Sequence, residues 1–215
     1  MSGILAVDAN WDIVTRYGRA FREAFIFNDL SNEWPPHSIH HLVGSNAVQP
    51  QIDTFINENH VDYLTGMGHG SYDAFTGFQN SPAWNSDDDL THLEGIIVHL
   101  LSCQTGALLG RSMVKQGVRA FWGYTVNFSF YRQSTPPQDL TTDSIAELFL
   151  KMDSIIDRGI LSLKNAQEIY DSVTTYVAAV YPQLKSKPLH QAVLLDNYVH
   201  LVCPVTVWGD ASATL

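Results

Sequence analysis

The sequence predicts an α/β fold with a mostly parallel central sheet of about six strands and helices on both faces. Three observations predict it. Short apolar runs alternate with stretches of helical spacing. That alternation repeats four times, the pattern of strands joined by crossover helices. The runs are apolar throughout instead of every second residue, as strands covered on both faces must be. The chain has 215 residues, 45% of them hydrophobic. That suffices for one domain, residues 1–215, with a sizeable core.

The elements follow in order. Residues 4–7 are a brief apolar run ending at Asp8, the first strand. Residues 13–27 carry Val14, Tyr17, Phe21, Ala24 and Phe25 at helical spacing, and residues 28–36, with two prolines, form a loop. A second strand spans 40–43, closed by Gly44 and Asn46, and a helix with Ile52, Phe55 and Ile56 spans 50–59. Residues 61–67 form the third strand, followed by the Gly-rich GHGSYDAFTGF and a polar loop over 81–89. Residues 95–101 are the fourth strand. Residues 104–115 form a helix with Leu108, Leu109 and Met113 on one side and Gly117 as its stop. Residues 118–124 are the fifth strand. Beyond RQSTPPQDLTTD, helices are expected over 143–157 and 162–181 and a last strand over 198–208.

Composition narrows the function classes. The formal net charge is −10, which speaks against a nucleic-acid surface and leaves cationic substrates or partners open. No apolar run approaches the roughly 18 residues that span a bilayer. The start, MSGILAVDAN, has neither a basic nor a long apolar signal region. Two cysteines make no disulfide framework, so a reduced, cytoplasmic setting without a membrane partner is expected.

Ligands of open parallel sheets bind at the carboxyl ends of the strands. Two reactive side chains fall there: His69, in YLTGMGHG after the third strand, and Cys103, in VHLLSC after the fourth. Consecutive strands are often neighbours, which would bring the two face to face. A thiol attacks as thiolate, and the N-terminus of the 104–115 helix would lower its pKa. His69 can serve as general base and leaving-group acid. The Gly70 and Cys103 N–H groups can form an oxyanion hole. The competing reading makes Cys103 a packed small hydrophobe and His69 a loop residue.

Other candidates are weaker. His40 and His41 are adjacent, so in a strand they point to opposite faces. His37, His60 and His92 fall in loops without ligand partners at short spacing, and no HExxH or CxxC occurs, so no metal and no cofactor is expected. His99 inside the fourth strand reads as a satisfied core histidine, and Cys203, before a Pro, reads as packing. GMGHGS is neither GxGxxG nor a P-loop, and the GxSxG elbow of an α/β hydrolase is missing.

A strand ending in His-Gly followed by a strand ending in Cys resembles the caspase-like superfamily of cysteine peptidases, which includes caspases, metacaspases, legumain, gingipains, clostripain and separase. GMGHGSYDAFTGF and LLSCQTGALLGRSMVKQGVRAFWGYT are most similar to the gingipain-like and CHAT-type branch, and VWGDASATL resembles its closing strand and Gly-Asp turn. The resemblance implies a caspase-like three-layer sandwich and peptide-bond hydrolysis through an acyl-enzyme. Cys103 would be the nucleophile, His69 the imidazole, and Gly70 with the Cys103 backbone the oxyanion hole, with no third residue named. Leu101 stands where basic-specific relatives keep an Asp, and the Gln-Ala of caspases before the Cys is missing. The loop after the first strand contains Asp8, Asn10 and Asp12. Asp8 would either bind a basic P1 side chain or cap the helix starting near Trp11. Ser102, Tyr124 and Thr125 are the other expected substrate-binding residues; residues 124–131 would line the cleft, or their aromatics would join the core. Arg132, beside the PPQD loop, is an expected autocleavage position. The partner is then a peptide or protein substrate, with an activating partner or larger assembly left open. The alternative is a catalytically silent regulatory or scaffolding module of the same fold in a signalling or defence system.

Overall fold

The computed structural model describes residues 3–28, 39–206 and 209–215. Strands β1 (Ile4–Asp8), β2 (Ile39–Val43) and β3 (Tyr63–Met67) alternate with helices α1 (Ile13–Arg22) and α2 (Gln49–Glu58). A small sheet of β4 (His69–Gly70), β5 (Ala74–Thr76) and β6 (Pro82–Asn85) follows. Next come β7 (Ile97–Leu101), α3 (Leu109–Lys115) and β8 (Ala120–Tyr124). Helices α4 (Ser144–Leu161), α5 (Ala166–Val180) and α6 (Pro188–Val199) precede the two-residue β9 (Leu201–Val202).

The main sheet has the order β2-β1-β3-β7-β8-β9. All pairings are parallel except β8 with β9. Every residue of β1, β3, β7 and β8 is buried, which is why these strands read as unbroken apolar runs. Alternate residues feed two cores. Ala6, Tyr63, Leu101 and Trp122 pack with α1, α4, α5 and α6 on one face. Leu5, Leu64, Val98 and Phe121 pack with Ile52 of α2, Met113 of α3 and Phe75 and Trp84 of the small sheet on the other. Hence the two helical layers around a mostly parallel sheet, as expected. His40 stacks on Phe55 while His41 meets Phe27 edge-on, so the two histidines do point to opposite faces.

Three expectations need correction. The 104–115 helix begins only at Leu109, because residues 102–108 form turns and Gln104 takes φ +59°. The Gly-rich stretch and the 81–89 loop contain the small antiparallel sheet. The closing strand is reduced to β9, preceded by helix α6 over a stretch for which no element is expected, with Trp208 outside the described residues. The first helix passes at Glu23 into a π-helical turn, Glu23–Phe27, whose Phe25 carbonyl accepts a hydrogen bond from Arg158 of α4.

Candidate active site

His69 and Cys103 stand at matched places on neighbouring strands. Met67 of β3 pairs with Leu101 of β7, and the Gly68 N–H donates to the Leu101 carbonyl at 3.4 Å. Two residues beyond each partner come His69 and Cys103. Gly70 is pressed against the Cys103 turn. A Cβ there would lie 2.4 Å from Ser102 Oγ, 2.8 Å from the Cys103 carbonyl oxygen and 2.9 Å from the Ala74 carbonyl oxygen. Gly106 performs the same service on the other side, lying flat on the Tyr124 backbone.

His69 has a carboxylate that sequence reading did not provide. Its Nε2 lies 2.6 Å from Asp12 Oδ2. Asp12 is the N-cap of α1, and its other oxygen accepts from the Thr15 N–H at 2.8 Å, in a capping box whose Thr15 hydroxyl accepts from the Asp12 N–H. Partial burial would raise the Asp12 pKa, but the Thr15 and His69 hydrogen bonds outweigh it and hold the carboxyl below its ordinary value. Trp11 meets the imidazole edge-on with centroids 6.0 Å apart. The readable signal was Asp-x-x-Thr before an apolar helix, a cap signature that also fixes the direction of the carboxylate.

Cys103 is half-buried, and burial pushes its thiol up, a Phe128 backbone hydrogen bond working against that. No helix starts at Cys103, so the expected dipole does not act on it. Its S–H donates to the Phe128 carbonyl at 3.8 Å.

The remaining expected site residues are placed otherwise. Asp8 is fully buried, with Oδ1 3.1 Å from Arg22 Nε and Oδ2 3.3 Å from Arg19 Nη1. Its carboxylate is committed to the chain's own cations, and the cap of α1 is Asp12, so both readings of Asp8 fall. Tyr124 is a core residue whose hydroxyl donates to Asp153 at 2.8 Å, so its side chain does not line a cleft. Thr125 is tied to the His200 carbonyl by its N–H at 3.0 Å. Ser102 is buried against Gly70, its hydroxyl without a hydrogen-bond partner among the described residues. Phe128, Phe130 and Tyr131 pack against the core cluster. Arg132 donates to the Gln133 carbonyl at 3.1 Å. His60 and His92 have carboxylate partners, Asp62 at 2.9 Å and Asp53 at 3.2 Å, and His37 lies outside the described residues.

Beneath the sheet lies a sealed charged network that the sequence did not announce. His99 Nε2 is 3.2 Å from Asp153 and Nδ1 is 3.1 Å from Asp157. Arg22 donates to Thr65 at 2.9 Å and lies 3.8 Å from Asp157. Tyr63 and Thr65 both donate to Asp157. Burial alone would lower the His99 pKa; the Asp153 and Asp157 charges override it and raise it to about 9. Asp157 is held well below the carboxylate range, its burial outweighed by His99 and Arg22. Ligand-type atoms of His99, Asp153 and Asp157 lie within 4.8 Å of one another. Each ring nitrogen already faces a carboxylate, which leaves the imidazole no lone pair for an ion.

No family model and no curated protein matches the sequence. Solved structures do. The complex of the pro- and mature domains of RgpB from Porphyromonas gingivalis aligns over 98% of this chain with a TM-score of 0.55 and 11% identity. The Arg specific cysteine proteinase gingipain R (RgpB) aligns over 100% of it with a TM-score of 0.52 and 12% identity. The chain spans 47% of the length of each. Among the described residues no helix is long and apolar enough to cross a membrane. At such identities the likeness is one of fold, and the fold is the caspase-like α/β sandwich of these cysteine proteases.

Proposed function

We propose that the chain is a cysteine endopeptidase with Cys103 as nucleophile, His69 as its base and Asp12 as the group that orients His69. One observation carries the reading: a carboxylate-held imidazole and a thiol follow adjacent parallel strands in matched register, with a glycine packed between their turns. The thiol proton passes to His69, and the sulfur adds to the scissile carbonyl carbon. The oxyanion is received by the Gly70 and Cys103 N–H groups. As the tetrahedral adduct collapses, the C–N bond breaks and the leaving amine takes the proton from His69. Water, deprotonated by His69, then attacks the thioester, releasing the acid and the Cys103 thiol. Asp12 keeps the imidazole in one orientation. No basic P1 preference is carried over, because Asp8 is engaged by Arg19 and Arg22.

A digest of an unbiased peptide library by wild type and by Cys103→Ala tests the reading, together with labelling by a peptide acyloxymethyl ketone. Cleavage and labelling in wild type that vanish in Cys103→Ala are expected. Cleavage that survives Cys103→Ala removes the nucleophile. Absence of both reactions in wild type with the Cys103 thiol demonstrably accessible leaves the silent regulatory module as the better reading.

A further inference from the structure

The segment that follows β8 comes within hydrogen-bond reach of the thiol. The Phe128 carbonyl oxygen sits 3.8 Å from Cys103 Sγ. A scissile carbonyl carbon must come to roughly 3–3.5 Å of the attacking atom. The Phe128 carbonyl therefore stands in the approach. Thr125 anchors the start of the segment on the His200 carbonyl, and two further sets of bonds hold the Phe128 carbonyl in place. On the Cys103 side, the Gln104 N–H donates to the Val126 carbonyl at 2.9 Å, and Gln104 Nε2 donates to Asn127 Oδ1 at 3.1 Å. Gln104 makes these bonds from the left-handed backbone region at φ +59°, which is unfavourable for a non-glycine residue. On the far side, Asn197 of α6 grips Ser129 with both ends of its amide. The Ser129 N–H donates to Asn197 Oδ1 at 3.2 Å, and Asn197 Nδ2 donates to the Ser129 carbonyl at 2.7 Å. Asn197 is fully buried, so this pair is shielded from competing water.

We propose that residues 125–131 are an autoinhibitory strap over Cys103, latched by Asn197, and that the thiol reacts only when the strap lifts. The inference rests on Cys103 being the reactive group of the proposed peptidase. Its physical sense lies in where the latch sits. Asn197 belongs to a helix outside the sheet, so a small shift of α6 releases Ser129 without disturbing His69, Asp12 or Cys103. The cover also accounts for the burial that raises the Cys103 thiol.

Alkylation of the full chain by iodoacetamide tests this, because the reagent is small and its rate reads thiol access whether or not peptides are cleaved. Cys203, fully buried, serves as an internal reporter of unfolding. Asn197→Leu removes both latch bonds, and its Cys103 rate is expected to rise about 10- to 30-fold with Cys203 still protected. Gln104→Ala/Asn127→Ala loosens the exposed anchor and is expected to give about 3-fold. Unchanged Cys103 rates in both variants, with Cys203 protected, overturn the strap. Should Asn197→Leu expose Cys203 as well, the surface double variant decides alone, and a wild-type rate there overturns the strap. Peptide cleavage by wild type alongside unchanged alkylation rates would leave the peptidase and remove the strap. Faster alkylation with no cleavage in any variant would do the reverse.

Discussion

The buried His99 should make this protein lose stability as the solution turns mildly alkaline. His99 is fully buried between Asp153 and Asp157, and its pKa is raised from 6.5 to about 9. A raised pKa means that the folded state holds a proton which the unfolded chain releases above about pH 6.5. The stabilisation is therefore complete below pH 6.5 and disappears as pH climbs through about 9. A shift of about 2.5 units at 1.36 kcal/mol each amounts to on the order of 3 kcal/mol. For a chain of this size that is a fall in Tm of about 6–12 °C. Urea and thermal unfolding at pH 6, 7, 8 and 9 measure it, with His99→Gln as the comparison. Cys103, also raised, loses stability in the same direction toward the top of the window, so the difference between wild type and variant isolates His99. The variant should be less stable than wild type at pH 6 and should converge on it by pH 9. A wild-type stability that is flat over this window, or an equal slope in His99→Gln, would refute the protonated histidine.

Three further outcomes are expected. Asp12→Asn keeps an N-cap oxygen for the Thr15 N–H but removes the carboxylate from His69, so kcat should fall at least about 10-fold with stability nearly unchanged. Asp12→Ala should fall as far in activity and lose a further ~1 kcal/mol by denaturation; full activity in Asp12→Asn would dismiss the orienting role. Gly70→Ala should abolish cleavage and cost about 1–3 kcal/mol, since its Cβ would meet the Cys103 and Ala74 carbonyls at 2.8 and 2.9 Å, neither of which can swing aside. Arg22→Met should cost about 3–5 kcal/mol, read by urea unfolding, because it leaves the buried Asp8 and Asp157 with Arg19 and His99 as their only remaining cations; a loss below ~1 kcal/mol would mean that Arg19 and His99 suffice without it.

What the sequence disclosed and what it hid have physical causes. β1, β3, β7 and β8 are buried on both faces, so their composition alone marks them. His69 and Cys103 were legible because they follow two such runs. Helix α6 was not, since Leu189, Leu195 and Val199 lie exposed while the polar Asn197 is buried, which erases the expected period. The start of α3 was misjudged because Gln104 turns left-handed, a choice no residue pattern at Gln-Thr-Gly requires. Nothing in the residue pattern of the 143–157 helix singles out Asp153 and Asp157. Only the placement of α4 against His99 and Arg22 makes them core.

Asp8 and Asp12 show how far four residues of spacing can separate two like side chains. Asp8 is the last residue of β1, in the same face-alternation as Ile4 and Ala6, so its carboxylate points into the core beneath α1. A carboxylate there needs cations, and α1 supplies them from its last turns through Arg19 and Arg22. Asp12 lies past the strand, at the exposed mouth of the same helix, where the cap geometry leaves one oxygen for Thr15 and sends the other to His69. The two acids thus fix both ends of α1, one to the floor of the sheet and one to the imidazole. The position of the His69 partner therefore depends on a buried ion pair some two helical turns away. A substitution at Arg22 should for that reason lower activity as well as stability, although Arg22 touches neither His69 nor Cys103.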